Sequence, residues 1–265
     1  MNRLLIVAVV GALAVGLAIG LVGLALALAV DGHKVGILDA DIYGPSIPRM
    51  LGVTGEPSSS DGTTLDPMEA HGVKCMSMGF LIEEETPVIW RGPMAQTALQ
   101  QMMRDINWGD LDILVVDMPP GTGDIQLTLT QQVPLAGSVI VSTPQDIALL
   151  DARKGLNMFR KVDVPVFGLI ENMSYFICPH CGDRTDIFGH GGAKAEAERQ
   201  NIDFLGEIPI DPYLRETSDT GTPITAKEPD HAISKVFIEI AGKVAAKIEE
   251  ANAKAEASAP KIVVS

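Results

Sequence analysis

Cys178 and Cys181, in the run Cys178-Pro179-His180-Cys181-Gly182, carry the most specific chemistry in the sequence. Two thiols at this spacing can ligate zinc or an iron–sulfur cluster, can cycle between dithiol and disulfide, or can be packed away as inert groups. Redox pairs of this kind sit at the start of a helix, whose N-terminus lowers the pKa of the first thiol. Here the turn-rich stretch Gly182-Asp183-Arg184-Thr185-Asp186 follows instead, which argues against the redox reading. Zinc and [4Fe–4S] sites each take four ligands, so one pair is half of either site. A two-fold axis that brings two copies of the pair together would complete it. On the residues alone, zinc and iron–sulfur both stay open. Cys75, in the apolar run of residues 73–78, reads as a buried core thiol. His180 reads as a solvent-facing spacer and His190 as a turn residue.

A second set of polar groups is placed by the elements around it. Residues 34–38 (KVGIL), 111–116 (LDILVV), 138–141 (SVIV) and 164–170 (VPVFGLI) are short apolar runs, and helical patterns cover 94–106, 147–161 and 232–253. This alternation predicts an α/β fold with a mostly parallel sheet buried on both faces by helices. Ligands in such sheets bind beyond the carboxyl ends of the strands. Those ends carry Asp39, Asp41, Asp117, Thr143 and Asn172. Any one of them alone is as well explained as a helix cap; the five together predict a Mg-nucleotide site. With residues 4–10 as the first strand, the turn after it is GALAVGLA, residues 11–18. Gly11 and Gly16 stand at the spacing of a phosphate loop, but Leu17 occupies the lysine position and Ala18 the Ser/Thr position. Leucine brings no charge to a phosphate, and alanine no hydroxyl to Mg²⁺. A charge-assisted hydrogen bond contributes roughly 1.5–3 kcal/mol net, and this loop forgoes several.

Composition bounds the rest. A chain of 265 residues, 46% hydrophobic, suits one large α/β domain, expected over 1–250 with a flexible tail at 251–265. A net charge of −14 and no basic run exclude a nucleic-acid backbone as partner. Three cysteines do not make a secreted disulfide framework, and a reducing, cytoplasmic setting is expected. Residues 4–30 contain no charged or polar side chain and no proline, and include Gly16 and Gly20 at a small-xxx-small spacing. That run is long enough to span a bilayer. It equally fits a strand and a helix of the core.

Several longer motifs occur in order: DADIYGPSIPR (residues 39–49), MSMGF (76–80), WRGP (90–93), VDMPPGTGD (116–124), STPQD (142–146), ENMS (171–174) and CPHCG (178–182). Over about residues 24–223 the chain resembles the Mrp family of iron–sulfur cluster carrier ATPases, relatives of the ParA/MinD P-loop proteins. That resemblance implies a P-loop NTPase-like α/β fold and a homodimer with Mg-ATP sites near its interface. It implies a [4Fe–4S] cluster bridged by the cysteine pairs of both protomers, received from cluster donors and passed to apo iron–sulfur proteins. It also implies that Asp41 positions the attacking water, with Asp39 beside it, that Asp117 holds Mg²⁺ through water, and that Asn172 lies near the adenine. The family loop, G-K-G-G-V-G-K-S-T, places its lysines on Ala12 and Leu17 and its Ser-Thr pair on Ala18 and Ile19. ATP hydrolysis is therefore expected to be impaired. Residues 24–29 keep the family's helix-end pattern in register, closed by Asp31 and Gly32, which favours a core strand and helix over a membrane span. The expected function is cluster carriage. The alternatives are a still-active ATPase, or a membrane-anchored cluster- or zinc-binding protein that uses residues 4–30 as a span.

Overall fold

The computed structural model describes residues 5–11, 14–41, 44–80, 92–121 and 123–258. The apolar amino-terminal run divides into a strand, β1 (Leu5–Gly11), and a helix, α1 (Ala14–Val30). The chain continues through β2 (Val35–Asp39), the short α2 (Ile47–Met50), β3 (Met68–Ala70), β4 (Val73–Ser77) and α3 (Gly92–Arg104). Then come β5 (Ile113–Asp117), α4 (Asp124–Gln132), β6 (Leu135–Ser142), α5 (Asp146–Lys161) and β7 (Val166–Glu171). A small hairpin, β8 (Phe176–Ile177) and β9 (Arg184–Thr185), precedes α6 (Gly192–Gln200), β10 (Phe204–Glu207), α7 (Pro212–Asp219), α8 (Ile224–Lys227) and α9 (Ala232–Ser258).

Eight strands form one sheet in the order β10-β7-β6-β1-β5-β2-β4-β3. All neighbours are parallel except β3, which runs antiparallel to β4 at the edge. Every residue of β2 and β5 is buried, because helices cover both faces. The four strands expected from apolar runs are all present as β2, β5, β6 and β7, and the α/β class is as the alternation predicts. From β1 the chain steps toward β2, and from β5 it crosses back over β1 to β6. This reversal opens a crevice at the carboxyl end of β1, the usual ligand position of such sheets.

The reading of residues 4–30 as a membrane span does not describe this fold. β1 is paired on both sides, with Val9 opposite Asp117 of β5 and opposite Val139 of β6. Helix α1 is apolar all round, and from residue 20 to residue 28 it is buried all round: Leu21, Leu24, Leu26 and Leu28 are covered on successive faces. Gly23 meets the ring of Phe237 on α9 so closely that a Cβ there would overlap it. No helix among the described residues is long and apolar enough to cross a membrane. At the other end, α9 runs past the expected boundary at residue 253 to Ser258. Ala, Lys and Glu dominate this stretch, and all are strong helix formers. The remainder of the expected tail, residues 259–265, lies outside the described residues.

The Gly23–Phe237 contact supports a direct test by urea unfolding. Phe237→Ala should cost about 3–5 kcal/mol by leaving a cavity. Gly23→Leu should cost about 1–3 kcal/mol by overpacking the same point. Unchanged midpoints in both variants would show that α1 is not packed on α9.

Candidate functional site

Two neighbouring strand ends bring carboxylates together beneath the crevice. Asp39 closes β2 and Asp117 closes β5, and the two are directly paired in the parallel ladder. Asp41, two residues beyond β2, is also buried. Asp39 is well anchored. Its Oδ1 accepts the Asp41 N–H at 3.2 Å, and its Oδ2 accepts the Ser77 hydroxyl at 2.9 Å and the Ile47 N–H at 3.3 Å. Asp117 differs: its Oδ1 is buried and has no hydrogen-bond partner among the described residues. Burial, moderated by these hydrogen bonds and reinforced by the Asp41 charge, pushes the Asp39 carboxyl up to about 7. Burial, and then the charges of Asp39 and Asp41, hold the Asp117 carboxyl well above its ordinary value.

The surrounding loops are shaped by their own hydrogen bonds. Gln126 on α4 donates its amide to the carbonyls of Pro119 (3.2 Å) and Pro120 (2.6 Å), folding the segment after Asp117 back onto the helix. Thr143, just past β6, is buried, and its Oγ1 has no hydrogen-bond partner among the described residues. Asn172, just past β7, is buried, and its Oδ1 accepts the Met173 N–H at 2.8 Å. Gly11 ends β1, Gly16 and Leu17 lie near the start of α1, and Ala18 is buried within it. Ala12, Ile42, Tyr43, Trp90, Arg91 and Thr122, which belong to the motifs above, lie outside the described residues.

These groups divide on whether they could hold Mg-ATP. The unpartnered Asp117 Oδ1 is a suitable acceptor for a hydrated cation. No three His, Cys, Asp or Glu side chains among the described residues come together as a metal-binding group. The phosphate half does not fit: Leu17 and Ala18 offer neither charge nor hydroxyl where triphosphate and Mg²⁺ need both.

The cysteine pair lies in the hairpin that follows β7. Cys178 N–H donates to the Asp183 carbonyl at 2.9 Å, and Gly182 N–H donates to the Cys178 carbonyl at 2.8 Å. Gly182 has φ +75°, a conformation that glycine adopts without strain. This turn directs the N–H groups of Cys181 and then His180 at the Cys178 sulfur, which lowers its pKa from the ordinary thiol value. The Cys181 thiol is exposed and donates to Asp183 Oδ2 at 3.2 Å. His180 is exposed, and His190 is exposed with its Nδ1 at 2.8 Å from Arg184 Nη2. Cys75, by contrast, is fully buried; burial and then the Asp39 charge push its thiol up to about 12.

The hairpin is fastened to the sheet at its root. Ser174 N–H donates to the Ile208 carbonyl (3.0 Å), and Ile210 N–H to the Tyr175 carbonyl (2.6 Å). The Arg184 guanidinium stacks over the Tyr175 ring at 4.2 Å and pairs with Asp186 and Glu207. Buried Glu171 accepts the Ser174 hydroxyl at 2.6 Å and the Ala193 N–H at 2.7 Å, joining β7 to the start of α6. Residue types and spacing do not single out Ser77, Gln126, Tyr175 or Arg184 as site supports. Only the strand-end positions of Ser77 and Glu171 offer a signal in the sequence.

The sheet order, the crevice at the end of β1 and the strand-end carboxylates define a P-loop NTPase-type α/β protein. The family model described as ParA: NUBPL iron-transfer P-loop NTPase matches residues 3–245, and the chain belongs to that family. It is 50% identical over 233 residues to the iron–sulfur cluster transfer protein NUBPL of Dictyostelium discoideum, covering 87% of this chain and 72% of that one. It is 53% identical over 228 residues to the iron–sulfur cluster carrier protein of Escherichia coli K12, covering 86% of this chain and 62% of the relative. The chain thus spans about two thirds of the length of these relatives. Among solved structures, a nucleotide-binding protein from Archaeoglobus fulgidus in complex with ADP matches with a TM-score of 0.75 at 38% identity. That match covers 88% of this chain and 91% of the other. The MinD protein of Pyrococcus horikoshii, with a TM-score of 0.67 at 18% identity over 91% of this chain and 96% of that one, shares the fold.

The raised carboxyls make stability depend on pH. Between the unfolded carboxylate value of 3.8 and the folded value of about 7 for Asp39, the native state binds more protons than the unfolded chain. Stability therefore falls as pH rises through that window. Asp117→Asn removes one buried charge, so it should raise the thermal midpoint at pH 8 and flatten its decline between pH 5 and pH 8, by about 2–4 °C for each kcal/mol relieved. A midpoint at pH 8 equal to or below that of the parent, with the same pH slope, would contradict the uncompensated burial.

Proposed function

We propose that this chain carries a [4Fe–4S] cluster as cargo on Cys178 and Cys181 of two copies and passes it to apo iron–sulfur proteins in the cytoplasm. The observation that carries this reading is the accessible cysteine pair on a firmly anchored hairpin, with backbone N–H groups aimed at the Cys178 sulfur. Such a turn favours thiolate, the form that binds iron. Two thiols per chain are half of a four-ligand cluster, and a homodimer supplies the other half. The names of the relatives, an iron–sulfur cluster transfer protein and an iron–sulfur cluster carrier protein, support the same cargo. Anaerobic reconstitution with iron and sulfide tests it. Cys178→Ser and Cys181→Ser should each lose most of the bound iron. Equal iron in parent and variants, or zinc retained in place of iron, would contradict the proposal.

On this reading the nucleotide half of the site is relaxed. Asp39, Asp41, Asp117 and Asn172 keep the side chains of the family motifs, while Ala12, Leu17 and Ala18 replace the groups that grip phosphate and Mg²⁺. Cluster carriage then proceeds without coupling to hydrolysis. ATP turnover by the purified protein should stand at background. Restoring the loop with Ala12→Lys, Leu17→Lys and Ala18→Thr should tighten Mg-ATP binding at least tenfold, about 1.4 kcal/mol. Turnover by the parent that Asp41→Ala abolishes would contradict this part of the proposal.

A further inference from the structure

The cysteine-bearing segment has no core of its own. It leaves the sheet after Ser174 and rejoins it at the start of α6, and every residue from 181 to 190 is exposed. What holds it lies at its two ends, and both ends meet one buried side chain, Glu171, the last residue of β7. At the entry, Glu171 Oε1 accepts the Ser174 hydroxyl at 2.6 Å. At the exit, its Oε2 accepts the Ala193 N–H at 2.7 Å. Glu171, Ser174 and Ala193 are all fully buried. Met173, inside the entry turn, has φ +54°, a left-handed conformation that a residue with a Cβ keeps only where its surroundings hold it. Helix α6 begins after Gly191, which has no side chain to cap it, and the Glu171 carboxyl caps it from another element. Gly192 closes the exit against the end of β6 so tightly that a Cβ there would overlap the Pro144 carbonyl oxygen.

We propose that Glu171 is the positioning residue of the cluster site: its carboxyl clasps both ends of segment 175–192 and so fixes where Cys178 and Cys181 are presented. The inference rests on the proposed carriage of a cluster by these cysteines. A set of ligands has to be held to within about 0.5 Å, and side chains that touch no ligand achieve this by locking the groups that do. The other ties are weaker. The turn around Gly182 closes the tip upon itself, which shapes the tip without fixing it to the sheet. Arg184 links the hairpin to Tyr175 and Glu207, but it is exposed, and ion pairs in water contribute little. The clasp is dry. Loss of the Glu171 side chain leaves the Ser174 hydroxyl and the Ala193 N–H buried without that acceptor, which is costly. A glutamine has the same length: its amide oxygen can accept the Ala193 N–H while its amide nitrogen donates to Ser174 Oγ. The clasp therefore depends on the shape and hydrogen bonds of the side chain rather than on its charge.

The test compares Glu171→Ala, Glu171→Gln and Phe237→Ala in the full chain, reconstituted anaerobically with iron and sulfide and kept well below every unfolding midpoint. Glu171→Ala should release iron to a chelator at least tenfold faster than the parent, and Glu171→Gln should stay within about threefold of it. Phe237→Ala, which weakens the core away from the hairpin, should release iron at the parent rate. In the apoprotein, Glu171→Ala should quicken amide hydrogen exchange at least tenfold at Ser174 and Ile210, whose N–H groups bond the Ile208 and Tyr175 carbonyls at the root. Exchange at Cys178 and Gly182, inside the turn, should be unchanged. Ser174→Ala opens the entry alone; it should speed release in the same direction, and it decides the matter should Glu171→Ala fail to fold. Release at the parent rate from Glu171→Ala, or release as fast from Glu171→Gln or Phe237→Ala, would overturn the clasp while leaving cysteine-dependent iron binding intact. Iron binding unaffected by Cys178→Ser would identify the cluster reading as the part that failed.

Discussion

The pairing of β1 with β5 on one side and β6 on the other fixes where each polar group of the site emerges. It sets Val9 level with Asp117 and with Val139, and the β2–β5 ladder then sets Asp39 level with Asp117. The strand ends are thereby lined up at a single edge of the sheet. The crevice forms there because the chain reverses direction across β1. A slip of one residue in a parallel strand would turn its side chains to the opposite face and scatter the carboxylates. Burial of apolar surface on both faces is what prevents that slip, so the core and the site are specified by the same pattern.

That arrangement creates an electrostatic problem. Asp39 and Asp117 are buried beside each other, with the Asp41 charge acting on both. In a loop of the family pattern, lysines stand nearby in sequence; here Ala12 and Leu17 take those places. A buried charge without a partner is costly, and a carboxyl in that position responds by holding its proton. The cysteine hairpin faces no such difficulty. Its charges are paired, its thiols are accessible, and its turn is closed by main-chain hydrogen bonds. The strand-end carboxyls and the cysteine turn therefore depend on different physics: burial of charge in one, and main-chain hydrogen bonds with paired charges in the other.

Much of this is legible from residues alone. Four buried strands stand out as apolar runs of the right length, and Cys178 and Cys181 are conspicuous by spacing. The amino-terminal run is ambiguous for a physical reason: a helix enclosed by protein and one enclosed by lipid have the same composition. Distant partners distinguish them here: β5 and β6 pair with the strand of this run, and Phe237 of α9 is seated on Gly23 of its helix. The short strands β3, β8, β9 and β10 leave no readable pattern, because two to four residues carry too little periodicity. The supports of the site are hidden for a related reason. Gln126 gripping two prolyl carbonyls, and Arg184 lying over Tyr175, join residues whose partnership depends on how the chain folds back on itself.

The central claim is that two copies of the cysteine turn share one cluster, and native mass spectrometry of the anaerobically reconstituted protein measures this most directly. The account predicts a species of two chains plus a single [4Fe–4S] unit, with the cluster mass absent when Cys178 and Cys181 are replaced by serine. A single chain carrying zinc or iron by itself, or a cluster mass that persists without these cysteines, would contradict it.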